Sequence, residues 1–298
     1  MTTYTFAGAN VRKTWILLGS FLVLIIALGW FFSYYYGNQS ILYFAVGFSV
    51  LQSILSYWYS DKIILAITRA KPVSHQENPE LYHILENLTI ASGLPLPKFY
   101  LLEESQPNAF ATGRDPKHAA IVVTRGLLEK LDKPELEGVL AHELSHIGNR
   151  DSLVMTVTVI LVGIISMLAN MFFRIGRFGG GKRDNNNRAG GILALIGFVA
   201  VILAPIAAAL IQLAISRKRE FLADASGVLL TRYPEGLASA LEKISRDQSP
   251  LRVASDSTAH LFIASPFRGK QTTSWLVKLF STHPPIEERI RALSQMSV

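Results

Sequence analysis

Cysteine is absent from this chain of 298 residues, which limits both the fold and any metal site. No disulfide can cross-link the chain, and a bound zinc ion must be held by nitrogen and oxygen atoms. The lack of cysteine also agrees with a reducing compartment. A cleavable signal peptide is not expected, because the first apolar run is too long and is followed by Tyr34-Tyr35-Tyr36 instead of small residues.

Charge is scarce as well: 17% of the residues are charged and 50% are hydrophobic. The apolar residues concentrate in four nearly uncharged runs, which are Trp15 to Tyr36, Ile41 to Tyr59, Leu153 to Phe173 and Ile192 to Ser216. Each run has roughly 19 to 25 residues, enough for a helix to cross a hydrocarbon core about 30 Å thick. The sequence therefore predicts an integral membrane protein with four hydrophobic segments in the lipid bilayer.

The net charge of +7 does not indicate nucleic-acid binding, because the basic residues cluster beside the apolar runs. We therefore expect no nucleic-acid partner. Arg12 and Lys13 precede the first run, and Lys62 and Arg69 follow the second, which places both of these ends in the cytoplasm. The uncharged connector 37–40 is just long enough for a tight hairpin between the two runs.

The order of apolar and polar stretches predicts four parts of the chain. Residues 1–60 form a transmembrane hairpin with spans at about 15–36 and 41–59, and residues 61–152 begin a soluble domain. Residues 153–216 hold a second apolar pair around a flexible connector at 174–191, and residues 217–298 complete the soluble domain. The connector carries five basic residues and one acidic residue, so whether segments 153–173 and 192–216 fully cross the membrane stays open.

The soluble domain is expected to be mainly α with a small antiparallel β-sheet. Apolar residues at helical spacing predict a helix at Pro79 to Ser92. The predicted strands are Lys98 to Leu102, Asn108 to Thr112 and His118 to Thr124. An edge strand of this sheet could hold an extended peptide by main-chain hydrogen bonds.

The strongest motif is His142-Glu143-Leu144-Ser145-His146. Residues four apart on a helix lie about 40° apart around the axis, so the two histidines project toward one point, as one zinc ion requires. Glu143 flanks the same face and can take a proton from water. Asp132 and Glu135 predict a capping box at the start of this helix, and Gly148 predicts its end.

The charges at 132, 133, 135 and 137 place this helix outside the hydrocarbon. Each would cost roughly 3 kcal/mol at the centre of a lipid-facing helix, which disfavours a protease that works inside the bilayer.

A catalytic zinc ion needs a third protein ligand. Glu220 and Asp224 lie four residues apart on one predicted helical face. Glu220 could bind zinc while Asp224 accepts the free ring N–H of a ligating histidine. From this stretch alone, pairing of both acids with Arg217 and Arg219 is an equal alternative.

These motifs together resemble the M48 membrane metalloproteases and, within them, the HtpX heat-shock proteases. The resemblance also includes Asn108-Ala109-Phe110 and His283-Pro284-Pro285 with Arg289. It implies a gluzincin-type site, in which His142, His146 and Glu220 hold one Zn²⁺, Glu143 is general base and acid, and Asp224 orients a ligand.

The resemblance further implies that His283 and Arg289 stabilise the oxyanion and that Asn108, Ala109 and Phe110 form the substrate-side strand. The alternative for His283 and Arg289 is that they only pin the C-terminal helix. The remaining histidines, which are 75, 83, 118 and 260, match no motif and are interpreted as surface or packing residues.

The expected function is that of a zinc endopeptidase of the cytoplasmic membrane that cleaves misfolded or surplus membrane proteins and unfolded polypeptides at the cytoplasmic face. This role in protein quality control comes from the resemblance. One alternative is a prenyl-protein endopeptidase that cleaves C-a-a-X sequences, a branch with more spans than 298 residues can hold. A second alternative, a scaffold with a structural metal, has no use for Glu143.

Overall fold

The computed structural model describes residues 3–178, 206, 210, 217–249, 251–254, 258–264 and 284–296. In these residues the helices are α1 (Thr3–Tyr36), α2 (Gln39–Trp58), α3 (Ser60–Thr68), α4 (Pro79–Ser92), α5 (Arg125–Lys130), α6 (Lys133–Gly148), α7 (Asp151–Phe178), α8 (Arg217–Thr231), α9 (Pro234–Arg246) and α10 (Ile286–Ser294). The strands are β1 (Lys71–Pro72), β2 (Lys98–Leu102), β3 (Ala109–Gly113) and β4 (Ala119–Thr124). The prediction of a mainly helical chain with a small sheet is confirmed.

Three helices in the described part of the chain are long and apolar enough to cross a membrane. They are Phe6–Tyr36, Gln39–Trp58 and Asp151–Asn170. The first three predicted runs are therefore helical, whereas the fourth, 192–216, lies almost wholly outside the described residues. The prediction that these runs and their connector divide the chain into four parts stays a prediction.

Helix α1 begins at Thr3, so residues 3–14 are helical and continue without a break into the predicted span at 15–36. The candidate span in α1 covers 31 residues, or about 46 Å, and exceeds a bilayer core of about 30 Å. Its N-terminal turns therefore extend beyond the hydrocarbon. They are held there by buried polar side chains, among them Asn10 and Thr14.

The sheet has the strand order β1-β2-β4-β3. Strands β3 and β4 form an antiparallel hairpin that closes at Gly113, whose φ is +129°. A Cβ atom at Gly113 would lie 2.3 Å from the carbonyl oxygen of His118, so only glycine fits. Strands β2 and β4 are parallel, and the prediction of a purely antiparallel sheet is wrong. Strand β4 is buried along its whole length, which favours the central position between β2 and β3.

Two helical layers enclose this sheet. On one face, Ile121 and Val123 of β4 pack against apolar residues of α4 and α6. On the other face, Val122 packs in a second cluster with residues of α3 and α7. Helix α7 packs against α1 in a further cluster as well as against the sheet, and 67% of its apolar window is buried, compared with 33% for α1. Helix α7 is thus a core helix of the soluble part as well as an apolar run.

Candidate metal centre

Helix α6 carries the two histidines on a well-defined local structure. Asp132 Oδ1 accepts a hydrogen bond from the backbone N–H of Glu135, and Glu135 Oε2 accepts one from the backbone N–H of Asp132, so the predicted capping box is present. The helix ends at Gly148, as predicted. Leu140 and Leu144 are fully buried against the sheet side, which fixes the rotation of the helix.

Helix α8 lies directly against α6 and brings two acids to the histidines. The close contact depends on Gly227, where a Cβ atom would lie 3.1 Å from the backbone nitrogen of His142. Asp224 lies about one turn and Glu220 about two turns before Gly227, and both are buried beside α6. The two helices therefore form one site from His142, His146, Glu220 and Asp224. In the sequence, the two histidines on α6 are at least 74 residues away from the two acids on α8.

Three donor atoms of this site converge. His142 Nε2 lies 3.1 Å from His146 Nε2, and the carboxylate of Glu220 lies 3.9 Å from the first nitrogen and 3.7 Å from the second. In a tetrahedral zinc site, ligand atoms at about 2.0–2.1 Å from the metal are roughly 3.3 Å apart. The observed spacings are close to this value, so the residues fit a zinc ion.

The second nitrogen of each histidine ring faces a carboxylate. His142 Nδ1 lies 2.9 Å from Asp224 Oδ1, and His146 Nδ1 lies 3.2 Å from Asp151 Oδ2. Because an ionised carboxylate only accepts hydrogen bonds, each Nδ1 carries the ring proton. The two Nε2 atoms then face each other at 3.1 Å, a spacing that either a proton on one ring or a metal ion between the rings would stabilise.

The pKa values of the two rings are shifted in opposite directions. Burial and the Arg289 guanidinium lower the pKa of His142 to about 4, which keeps this ring neutral. Burial also disfavours a charged His146, but the hydrogen bond to Asp151 and the nearby Glu220 outweigh it and raise the pKa to about 9. The negative surroundings that hold a proton on His146 are equally suited to hold a metal cation in its place.

Glu143 lies between the metal donors and the sheet. Burial raises the pKa of its carboxyl group to about 7, and the backbone N–H of Ala111 in β3 donates a hydrogen bond to it. The side chain is 2% exposed. A carboxylate in this position is suited to exchange protons near neutral pH.

The predicted substrate strand lies at the sheet edge that borders the site. Ala109 and Phe110 belong to β3, the edge strand, and both are buried. The carbonyl oxygen of Ala109 accepts a hydrogen bond from the backbone N–H of Ile263, and Asn108 Nδ2 donates to the carbonyl oxygen of Ala264. The outer edge of β3 therefore runs from the segment at 263–264 to Ala111 beside Glu143.

Arg289 also reaches the site, whereas His283 lies outside the described residues. The Arg289 guanidinium donates two hydrogen bonds to Asp224, at 2.6 and 2.8 Å, and lies 3.6 Å from Glu220. Burial would raise the pKa of Asp224, but the Arg289 charge and the His142 hydrogen bond lower it to about 2. Arg289 is fully buried, so it connects α10 to the carboxylate that faces His142.

Arg289→Ala should therefore lower both activity and stability. The change leaves the buried carboxylate of Asp224 without its cation, which typically costs about 3–5 kcal/mol. We expect a clear drop in the melting temperature in detergent. The double variant Asp224→Asn/Arg289→Ala removes the unpaired charge and should recover part of this loss without recovering activity. Simple additivity of the two changes would contradict the pairing.

Asp151 and Asn10 are two buried residues of the site that were missed in the sequence. Asp151 is the first residue of α7 and faces His146, as described above. Asn10 Nδ2 in α1 donates to Asp151 Oδ1 at 2.7 Å and to the carbonyl oxygen of Asn149 at 2.9 Å. The acid at the start of an apolar run was a signal for Asp151, but no local pattern marks Asn10.

Asp151→Asn should weaken zinc binding and turnover by roughly 10 to 100-fold, because a neutral amide supports the His146 ring less well than a carboxylate does. Asn10→Leu should have a smaller effect of the same kind. Asp61→Asn is a matched control, since Asp61, like Asp151, is the acid in the first turn of its helix. Zinc titration and steady-state kinetics measure both effects. If Asp151→Asn and Asp61→Asn had the same zinc affinity and the same turnover, Asp151 would not support zinc binding by His146.

Two buried histidines and a glutamate beside a further carboxylate, in a chain whose described part has three helices long and apolar enough to cross a membrane, define a class: a membrane metalloprotease. A family model, peptidase family M48, matches residues 75–297. "Protease HtpX homolog" of Thermoanaerobacter pseudethanolicus is 46% identical over 100% of this chain and 99% of its own length. The protein of the same name from Syntrophobacter fumaroxidans is 47% identical over 97% of this chain and 100% of its own length.

Among solved structures, the crystal structure of S. mikatae Ste24p matches with a TM-score of 0.51 at 20% identity. The match covers 95% of this chain and 64% of that chain, and it concerns the fold alone. The family model and the relatives show that the chain belongs to peptidase family M48 and is a membrane metalloprotease of the HtpX type.

Proposed function

We propose that this protein is a zinc-dependent endopeptidase that hydrolyses peptide bonds of misfolded or surplus membrane proteins and of unfolded polypeptides at the cytoplasmic face of the cytoplasmic membrane. The observation that carries the proposal is the buried group of donor atoms on His142, His146 and Glu220, with the carboxyl group of Glu143 beside it. His142, His146 and Glu220 would hold one zinc ion.

The Lewis-acid chemistry that a zinc ion would supply there is polarisation of the scissile carbonyl and acidification of water. Glu143 takes the proton of the attacking water and then passes it to the leaving amine. Asp224 and Asp151 keep the two rings in the tautomer that leaves each Nε2 free to act as a ligand. Arg289 holds Asp224 in place, and His283 and Arg289 would stabilise the oxyanion.

We further propose that the substrate lies along the outer edge of β3 as an added strand, which involves Asn108, Ala109 and Phe110. Support comes from the path of this edge, which ends at the N–H of Ala111 next to Glu143. At Ala109 the edge is bonded to the segment at 263–264, so an extended peptide would pair beyond that point or displace the segment.

The cytoplasmic orientation rests on α1. Its N-terminal turns contact the metal centre through Asn10, so the N-terminus and the site lie on one side of the membrane. Arg12 and Lys13 follow directly on the same turns, and basic residues beside a span favour the cytoplasm.

Reporter fusions test this orientation. Fusions after residues 70, 150 and 240 should all report the cytoplasm, because the site combines residues from 61–152 and 217–298. A fusion near residue 186 should report the outside if both later apolar runs cross. An external signal after residue 150 would contradict the proposed face.

The function is tested with detergent-purified full-length protein and three substrates, namely casein, an unfolded membrane protein and a farnesylated C-a-a-X peptide. We expect cleavage of the first two, loss of cleavage after chelation, and recovery on addition of zinc. Cleavage of the farnesylated peptide alone would favour a prenyl-protein endopeptidase. Failure of zinc to restore activity would contradict zinc dependence.

A further inference from the structure

A second group of side chains that could hold a metal ion lies at the exposed N-terminal part of α4 and in the turn before it. It consists of His75, His83 and Glu86, whose donor atoms all lie within 4.8 Å of one another. His83 Nδ1 lies 3.4 Å from Glu86 Oε2, and His75 Nε2 lies 3.8 Å from Glu86 Oε1. These spacings resemble those between His142, His146 and Glu220.

The backbone holds these side chains in position before any ion binds. His83 and Glu86 are three residues apart on α4 and therefore neighbours on one face. His75 belongs to the preceding turn, which is closed by the Glu77 carboxylate as it accepts hydrogen bonds from Ser74 N and Oγ at 2.6 and 2.9 Å.

Tyr82 fixes the same turn from the helix side. Its hydroxyl group donates a hydrogen bond to the carbonyl oxygen of Val73 at 2.7 Å, and its ring lies 5.2 Å from the His75 ring, centroid to centroid. The rings of His75 and His83 meet edge to face at 5.5 Å. The turn therefore needs little rearrangement to close the three donors around an ion.

The donor types select the kind of ion. Two imidazoles and one carboxylate suit zinc, copper or nickel, whereas calcium and magnesium prefer oxygen donors alone. The side chains of His75, His83 and Glu86 are 50%, 65% and 39% exposed, so water can complete the coordination and the ion can exchange with solvent. Such exposure suits a reversible site that stabilises a local structure.

We propose that His75, His83 and Glu86 bind a second divalent transition-metal ion, with Zn²⁺ as the expected ligand. The prediction that His75 and His83 are surface residues holds, since both are exposed. The ion would tie the turn at 74–78 to α4 and so stabilise the connection from β1. Peptide hydrolysis does not depend on it.

The test uses the full chain in detergent, and the parent protein carries Glu143→Gln, which prevents self-digestion. A chelator first removes bound metal. Calorimetric titration with Zn²⁺ should show one more bound ion in this parent than after His75→Ala/His83→Ala. Glu220→Gln should instead remove the other ion and leave the surface ion in place. Glu220→Gln changes only the α6–α8 site, and His75→Ala/His83→Ala changes only the surface site. If either site does not bind zinc, the variant of that site will bind as many ions as the parent, so the two failures can be told apart.

His118→Ala is the matched control, because His118 is also exposed and pairs with one acid, Asp115, but has no second histidine beside it among the described residues. It should leave the number of zinc ions unchanged. Equal zinc binding by the parent and His75→Ala/His83→Ala would overturn the proposal. The same would follow if His118→Ala lost an equal amount of zinc.

Hydrogen exchange gives a second readout. In Glu143→Gln/Glu220→Gln, Zn²⁺ should slow exchange of the amides at 74–78 at least severalfold, and His83→Ala should abolish this protection. Without Glu143→Gln, the variant His75→Ala/His83→Ala should keep the peptidase activity of the unmodified chain. Exchange that is unaffected by zinc would contradict the site.

Discussion

Glu143→Gln is expected to abolish measurable peptide hydrolysis while the metal centre keeps its zinc ion. Loss of a positioned general base typically lowers turnover by roughly 10² to 10⁴-fold. Glutamine has nearly the volume of glutamate and can still accept the hydrogen bond from Ala111, so the fold should be unaffected. Glu143 is absent from the group of converging metal donors, which is why zinc should remain.

Cleavage of casein and metal content, measured on the same preparation, check this prediction. Glu137→Gln is a matched control, because Glu137 lies on the same helix six residues earlier and is half-buried. It should retain normal turnover. If zinc and activity were lost together in Glu143→Gln, Glu143 would be a metal ligand and the assignment of roles would be wrong.

Glu220→Gln is expected to lose both activity and the zinc ion held by α6. The Glu220 carboxylate lies 3.9 and 3.7 Å from the two Nε2 atoms, and a neutral amide is a poor replacement for it as a zinc ligand. Two histidines alone leave the ion under-coordinated, so the affinity should fall by more than the roughly 10 to 100-fold typical of changes outside the ligand shell.

Competition with a chromophoric chelator measures this affinity. Glu242→Gln is the control, since Glu242 lies on α9 and pairs only with Arg246 among the contacts described for it. A Glu220→Gln protein with unchanged zinc affinity would show that the third ligand lies elsewhere. Loss of secondary structure together with zinc would indicate instead that Glu220 supports the fold.

Local features of the site were predictable from the sequence. The capping box of Asp132 and Glu135, the apolar spacing of α6 and the turn at Gly113 each depend on residues close together in the chain. Local patterns therefore placed both histidines and Glu143 on one helix.

Features that depend on distant parts of the chain were not predictable. The central position of β4 follows from packing on both faces, so the spacing of strands alone suggested the wrong sheet. Asn10 is 141 residues from Asp151, and Gly227 is required only because α8 touches α6. Such contacts leave no periodic signal in the sequence.

His142, His146 and Glu220 are proposed to bind the catalytic zinc ion. The most direct test of this proposal is anomalous X-ray diffraction at the zinc edge from crystals of Glu143→Gln. We predict a peak bonded to Nε2 of both histidines and to the Glu220 carboxylate, at distances of about 2.0–2.2 Å. A zinc peak without Glu220 in its coordination shell, or zinc bound only at other places in the molecule, would contradict it.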